Sequence, residues 1–140
     1  MQGTQDRFIT DLFAAWNSHD PAIAATPYAA EYEGVDIGQN APLHGAAAMQ
    51  EYFARFYAAF PDVVLTADDV VVSDDQYAIA WNARGTHLGK LMNIPPSGKA
   101  ICVRGISLLT LHAGKVIRGQ TVWDMAGLLR AIGLLPRLSR

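Results

Sequence analysis

The chain has 140 residues, of which 51% are hydrophobic and 17% charged, a size and composition that fit one folded domain with its own core and exclude intrinsic disorder. A net charge of −2 without any run of Lys or Arg excludes the electrostatic footprint of a nucleic-acid binder or a membrane-surface protein. Cys102 is the only cysteine, so no internal disulfide forms; with a polar start at Met1 to Arg7 and no apolar stretch of membrane-spanning length, the expected compartment is the cytoplasm.

In chain order, Phe8, Ile9, Leu12, Phe13 and Trp16 recur at helical spacing, with Asp6 and Asp11 on the opposite side. Asn17 to Pro21 stops that helix and starts a short one, because Asp20 suits an N-cap and Pro21 the first helical position. Tyr28 to Ile37 reads as an extended, Tyr-rich segment and Gly38 to Gly45 as a loop. A second clear helix is predicted over Ala46–Phe60, with Met49, Tyr52, Phe53, Phe56, Tyr57 and Phe60 as its apolar stripe. From Val63 to Trp123 the pattern is sheet, broken by a turn at Ser73-Asp74-Asp75 and a loop over Met92–Lys99. Two strands, Ile101–Leu111 and Lys115–Trp123, form a hairpin through His112-Ala113-Gly114, and a last helix runs from Met125 to Ile132 before Gly133. Helices followed by meandering strands make a single α+β domain, 1–140, with helices packed on one face of a curved sheet and a cavity between them.

Several strings in order resemble the SnoaL-like polyketide cyclase (ester cyclase) family, whose members share the conical fold of ketosteroid isomerase. They are Trp16-Asn17-Ser18-His19-Asp20, Ala59-Phe60-Pro61-Asp62, Gly85-Thr86-His87-Leu88-Gly89, Ile94-Pro95-Pro96-Ser97-Gly98-Lys99, Arg104-Gly105-Ile106, Gly114-Lys115-Val116 and Asp124-Met125-Ala126-Gly127-Leu128-Leu129 with Gly133. The resemblance implies a curved mixed or antiparallel sheet wrapped around N-terminal helices, with a central pocket. It also implies intramolecular aldol ring closure without metal or organic cofactor. A carboxylate matching Asp124 would remove an acidic C–H proton and later return it to oxygen. One departure is that Gly119 and Gln120 stand where many relatives carry an acidic residue and a Trp.

Asp124 also reads as an N-cap for the last helix, a role that would lower its pKa, whereas an apolar pocket would raise it. A type I turn with a bulge at Gly114 would set Leu111 opposite Lys115 and put Arg104 and Gln120 on the Asp124 side of the sheet. Arg104 would then either bind a substrate carboxylate, carbonyl or enolate, or hold Asp124 in a structural ion pair. Gln120 would bind substrate or satisfy backbone. His87 is a second candidate catalytic residue, as an orienter of Asp124 or a donor to an oxyanion; the alternative is a structural histidine. Trp16, Tyr28, Tyr32 and Trp81 are expected as aromatic walls for a flat, hydrophobic, carbonyl-containing substrate. His19, His44 and His112 fall in turns or loops, and the four histidines show no metal-ligand spacing, so no metal is expected.

Two rivals use the same scaffold: an isomerase, hydrolase or hydroxylation-type protein, for which Asp36 could supply a carboxylate if its segment points inward, and a binding module without catalysis. With Ile117, Thr121 and Trp123 expected on the outward face of the sheet, a homodimer or homotetramer is the expected assembly.

Overall fold

The computed structural model describes residues 2–138. The first helix, α1 (Gln2–Trp16), begins earlier than Phe8 but ends where the sequence indicates, and Leu12 and Trp16 from its apolar side are buried. Asn17 then acts as a strand would: its Nδ2 donates to Leu65 O at 2.9 Å and its Oδ1 accepts from Leu65 N at 2.7 Å. This two-way bond ties the end of α1 to the sheet across a long stretch of sequence. Asp20 caps α2 (Pro21–Ala25), accepting from Ala22 N at 2.9 Å, with Pro21 at the helix start.

The sheet has six strands: β1 (Tyr28–Asp36), β2 (Ala41–His44), β3 (Val64–Ser73), β4 (Gln76–Thr86), β5 (Ala100–His112) and β6 (Lys115–Trp123). Their spatial order is β2-β1-β6-β5-β4-β3, and β1 runs parallel to β6 while every other neighbouring pair is antiparallel. Strand β2 corrects the loop expected over Gly38–Gly45. Asn40, at φ 53°, takes the left-handed conformation that Asn tolerates, and the chain folds back so that Asp36 pairs with Ala41. Helix α3 (Gly45–Ala59) lies against β1, and α4 (Met125–Ala131) packs on β5. Met49, Phe53, Tyr57, Phe60, Ile79, Val116 and Leu128 meet in one buried core between helices and sheet. The architecture is therefore the expected α+β fold, a curved mixed sheet with helices on its inner side.

The β5–β6 hairpin corrects the expected turn. Ala113 (φ 51°) and Gly114 (φ 79°) are both left-handed, and His112 pairs with Lys115 through a two-residue connection. An irregularity follows between Thr110 and Leu111, after which Leu108 lies opposite Gln120 and Ile106 opposite Val122. The shift is even, so Arg104, Gln120 and Asp124 share a face as expected. That face is the outer one, however. Ile106, Leu108 and Val122 beside them are each 51% exposed, while Thr121 and Trp123, expected outside, point inward.

Candidate active site

A cavity of about 440 Å³ lies between the concave face of the sheet and the helices, a size that suits a small organic ligand. Its walls are aromatic, with Trp16, Tyr28, Tyr32, Tyr52, Phe53 and Trp81 all contributing. Small residues beneath the rings make this wall possible. A Cβ on Gly34 or Gly119 would overlap the Tyr32 hydroxyl, and one on Gly105 would overlap the Trp81 ring. Gly119 thus has a packing reason: it clears the floor on which Tyr32 lies.

The carboxylate in this cavity is Asp36, at the end of β1. Tyr32, Gly34 and Asp36 alternate along the strand onto one face, and Asp36 sits opposite Thr121 of β6. It is 1% exposed and four donors surround it. Oδ1 accepts from Trp123 Nε1 at 2.7 Å and Gln39 N at 3.2 Å; Oδ2 accepts from Tyr52 Oη at 2.7 Å and Gln39 Nε2 at 3.2 Å. A buried carboxylate needs such donors because it has lost its water. Burial pushes the Tyr52 phenol well above its ordinary pKa, and the Asp36 charge and hydrogen bond add to the shift, so Tyr52 remains a neutral donor.

Two hydroxyls stand beside it. Trp81 Nε1 donates to Ser107 Oγ at 3.1 Å, and Ser107 Oγ lies 2.9 Å from Thr121 Oγ1. The indole can only donate, so the Ser107–Thr121 bond consumes one of the two hydroxyl protons and leaves the other free of the indole. Both residues line the cavity, and Thr121 is the cross-strand neighbour of Asp36. Nearby, Trp16 Nε1 donates to Tyr28 Oη at 3.2 Å. Burial raises the Tyr28 phenol, the charge of Tyr32 adds to this, and burial pushes Tyr32 up to about 12; both phenols are neutral donors at ordinary pH.

Of the residues named from the sequence, Trp16, Tyr28, Tyr32 and Trp81 line the cavity, whereas Asp124, His87, Arg104 and Gln120 do not. Asp124 is exposed and accepts from Gly127 N at 2.8 Å, the capping geometry of α4. Its backbone N donates to Arg104 O at 2.9 Å, but no side-chain ion pair joins the two. Arg104 and Gln120 are exposed on the outer face. These placements correct the expectation of an Asp124 pocket lined by Arg104 and Gln120.

His87 is fully buried beside Phe60, at a ring-centroid distance of 5.8 Å. Ser97 N donates to its Nδ1 at 3.1 Å, which puts the ring proton on Nε2, an atom without a hydrogen-bond partner among the described residues. Its backbone exchanges bonds with Gly98 and Lys99, so His87 fixes the loop after β4 and lies outside the wall of the cavity. Among the described residues, no three His, Cys, Asp or Glu side chains come together as a metal site, and no helix is long and apolar enough to cross a membrane.

Asp36 carried one signal in the sequence, a carboxylate at the same strand parity as Tyr32. Ser107 and Thr121 carried none, because isolated polar residues in apolar strands read as outward-facing.

Comparison with known proteins agrees with this architecture. A family model for SnoaL-like polyketide cyclases matches residues 7–132. AclR of Streptomyces galilaeus, a candidate hydroxylase, superposes with a TM-score of 0.86 at 22% identity, covering 100% of this chain and 91% of that one. TsrD of Streptomyces laurentii gives 0.84 at 25% identity over 96% and 98% of the two chains. A SnoaL-like polyketide cyclase candidate from Jannaschia sp. CCS1 gives 0.83 at 21% identity over 96% and 94%. No curated protein matches the sequence.

Proposed function

The chain belongs to the SnoaL-like polyketide cyclase family, and from that membership and the cavity we propose a cofactor-independent enzyme of proton transfer α to a carbonyl. Its substrate is hydrophobic, polyketide-like and at least partly cyclic, held flat between the Trp and Tyr walls. Asp36 takes the role expected of Asp124. Its carboxylate accepts a C–H proton adjacent to a carbonyl, and the resulting enolate oxygen receives a hydrogen bond from the Ser107–Thr121 pair. The enolate carbon then attacks a second carbonyl of the same molecule, a C–C bond closes the ring, and the proton held by Asp36 passes to the new alkoxide. Tyr52, Trp123 and Gln39 position the carboxylate.

The observation that carries this reading is the buried Asp36 carboxylate facing an apolar cavity beside a hydroxyl pair. A direct test follows the α-hydrogens of 2-tetralone in deuterated buffer by NMR. The proposal expects the protein to speed exchange above the buffer rate. Binding of the ketone without faster exchange would overturn it.

A second reading has its own support. The four donors engage both oxygens of Asp36, as they would if the carboxylate were a fixed strut and the cavity only bound its ligand. The same exchange measurement separates the two.

A further inference from the structure

We propose that the substrate of this cavity carries a carboxylate, which Arg55 and Lys90 hold at the mouth while the apolar body fills the interior; this rests on the proposed function only in taking the cavity as the substrate site. Among the described residues three charged side chains line the cavity: Asp36 in the interior, and Arg55 and Lys90, both exposed. The remaining wall is mainly aromatic and aliphatic, so positive charge gathers at the opening and the negative charge lies within.

The two cations come from segments that the fold fixes together. Arg55 stands on α3 one turn after Tyr52, the donor to Asp36, and so faces the same side of the helix. The loop bearing Lys90 is bound to the end of that helix. Leu88 N and Gly89 N both donate to Ala59 O, at 3.0 and 3.1 Å, and a Cβ on Gly89 would overlap Ala58 O. Leu91 and Ile94 then exchange backbone bonds around Met92 and Asn93, both left-handed at φ 46° and 69°. This reversal sets Lys90 and Asn93 against the mouth, Asn93 adding an amide donor to the two cations.

Among the described residues neither cation has a salt-bridge or side-chain hydrogen-bond partner. Among the described residues the single ion pair is His44–Glu33, and Glu51, four residues before Arg55 on the helix, is not within ion-pair distance of it. A guanidinium fork and an ammonium lining one cavity suit a carboxylate, which can accept two parallel bonds from the fork. An elongated substrate with an apolar ring system and an acidic end would then be oriented, with its carboxylate at the mouth and its reacting carbon toward Asp36.

The test is calorimetric titration of 2-naphthoate and of its methyl ester, near neutral pH, into the wild type, the Arg55→Gln/Lys90→Gln double variant and Asp36→Asn. The wild type should bind the acid about five times more tightly than the ester, although the ester is the more hydrophobic ligand. The double variant should lose that preference while keeping its affinity for the ester, and added salt should shrink the preference in the wild type. Equal or tighter binding of the ester by the wild type overturns the proposal, as does a preference that survives the double substitution or is insensitive to salt. Asp36→Asn should retain the preference, so loss of proton transfer and loss of acid selectivity are separate results. Binding of neither ligand would overturn this proposal together with the use of the cavity as the substrate site.

Discussion

Trp123 Nε1 donates to Asp36 Oδ1 at 2.7 Å, joining the last residue of β6 to the last residue of β1 across the parallel strand pair. The bond aims the one acidic side chain that the described residues place in the cavity wall and closes that end of the sheet. Gly38 makes room for the indole, since a Cβ there would overlap its Nε1 edge. Gly38→Ala and Trp123→Phe should therefore act alike, each leaving a buried carboxylate oxygen short of a donor. A stability loss of about 1–3 kcal/mol is expected for each by thermal or urea unfolding. Proton-transfer activity should fall in both; an alanine at Gly38 with wild-type stability and activity would show that the indole bond does not matter.

Asp124 caps α4 through its bond to Gly127 N. Asp124→Ala should cost about 0.5–2 kcal/mol of stability, the range for loss of an N-cap side chain, and Asp124→Asn should cost less because Asn also caps. Urea melts of the two variants give the comparison. Equal losses would mean that the carboxylate charge matters beyond the bond to Gly127 N.

Much of the fold was legible in the sequence, as were the aromatic walls Trp16, Tyr28, Tyr32 and Trp81, and the misplacement of Asp124, Arg104 and Gln120 has a physical cause. The helices have strong apolar stripes, and even the faces of the hairpin strands were grouped correctly, since a slip of two residues keeps parity. The inner face of β5 is marked by Ile101, Val103 and Leu109 and the outer one by Arg104, but the motif around Asp124 favoured the Arg104 side. On β5 and β6 the outer face carries Ile106, Leu108 and Val122, while the inner face carries Ser107 and Thr121. In that middle stretch of the hairpin a hydrophobic-in rule fails, although Ile101, Val103 and Leu109 on the inner side of β5 obey it. The inner hydroxyls are tolerated because they bond to each other and to Trp81, a partner on another strand that no local pattern reveals. Asp124 falls outside the cavity wall for a related reason: its motif marks the start of α4, and that motif serves a cap as well as it serves catalysis.

The outer face bears on assembly. Ile106, Leu108 and Val122 surround the small Ala78 and Ala80 of β4, which lie opposite Leu108 and Ile106. Such a patch on the outer face of the sheet suits a second copy of the same face. Sedimentation velocity should show a dimer or larger species for the wild type, and Ile106→Lys/Leu108→Glu should shift it to monomer. A monomeric wild type at micromolar concentration would contradict the expected assembly.

Acid sensitivity should have an identifiable contributor outside the cavity. The Thr86 hydroxyl, at 2.7 Å, and then its backbone N–H, at 2.8 Å, hold the Asp62 carboxyl below its ordinary value. A folded value below the unfolded one gives stability that is present above the unfolded value and lost as pH falls through the folded one. The melting-temperature gap between wild type and Asp62→Asn should thus be widest near neutral pH and close on acidification. A gap that stays constant down to about pH 3 would mean that ionisation of Asp62 contributes nothing.

The central claim is that proton transfer belongs to Asp36 and not to Asp124. The most direct measurement is the rate of 2-tetralone α-hydrogen exchange for Asp36→Asn and Asp124→Asn side by side, with folding of each checked by its melt and binding of the ketone by titration. Asp36→Asn should lose about 10²–10⁴-fold of the catalysed rate while still binding the ketone, and Asp124→Asn should stay close to wild type. The reverse pattern, or undiminished exchange in a folded Asp36→Asn protein, would contradict the account.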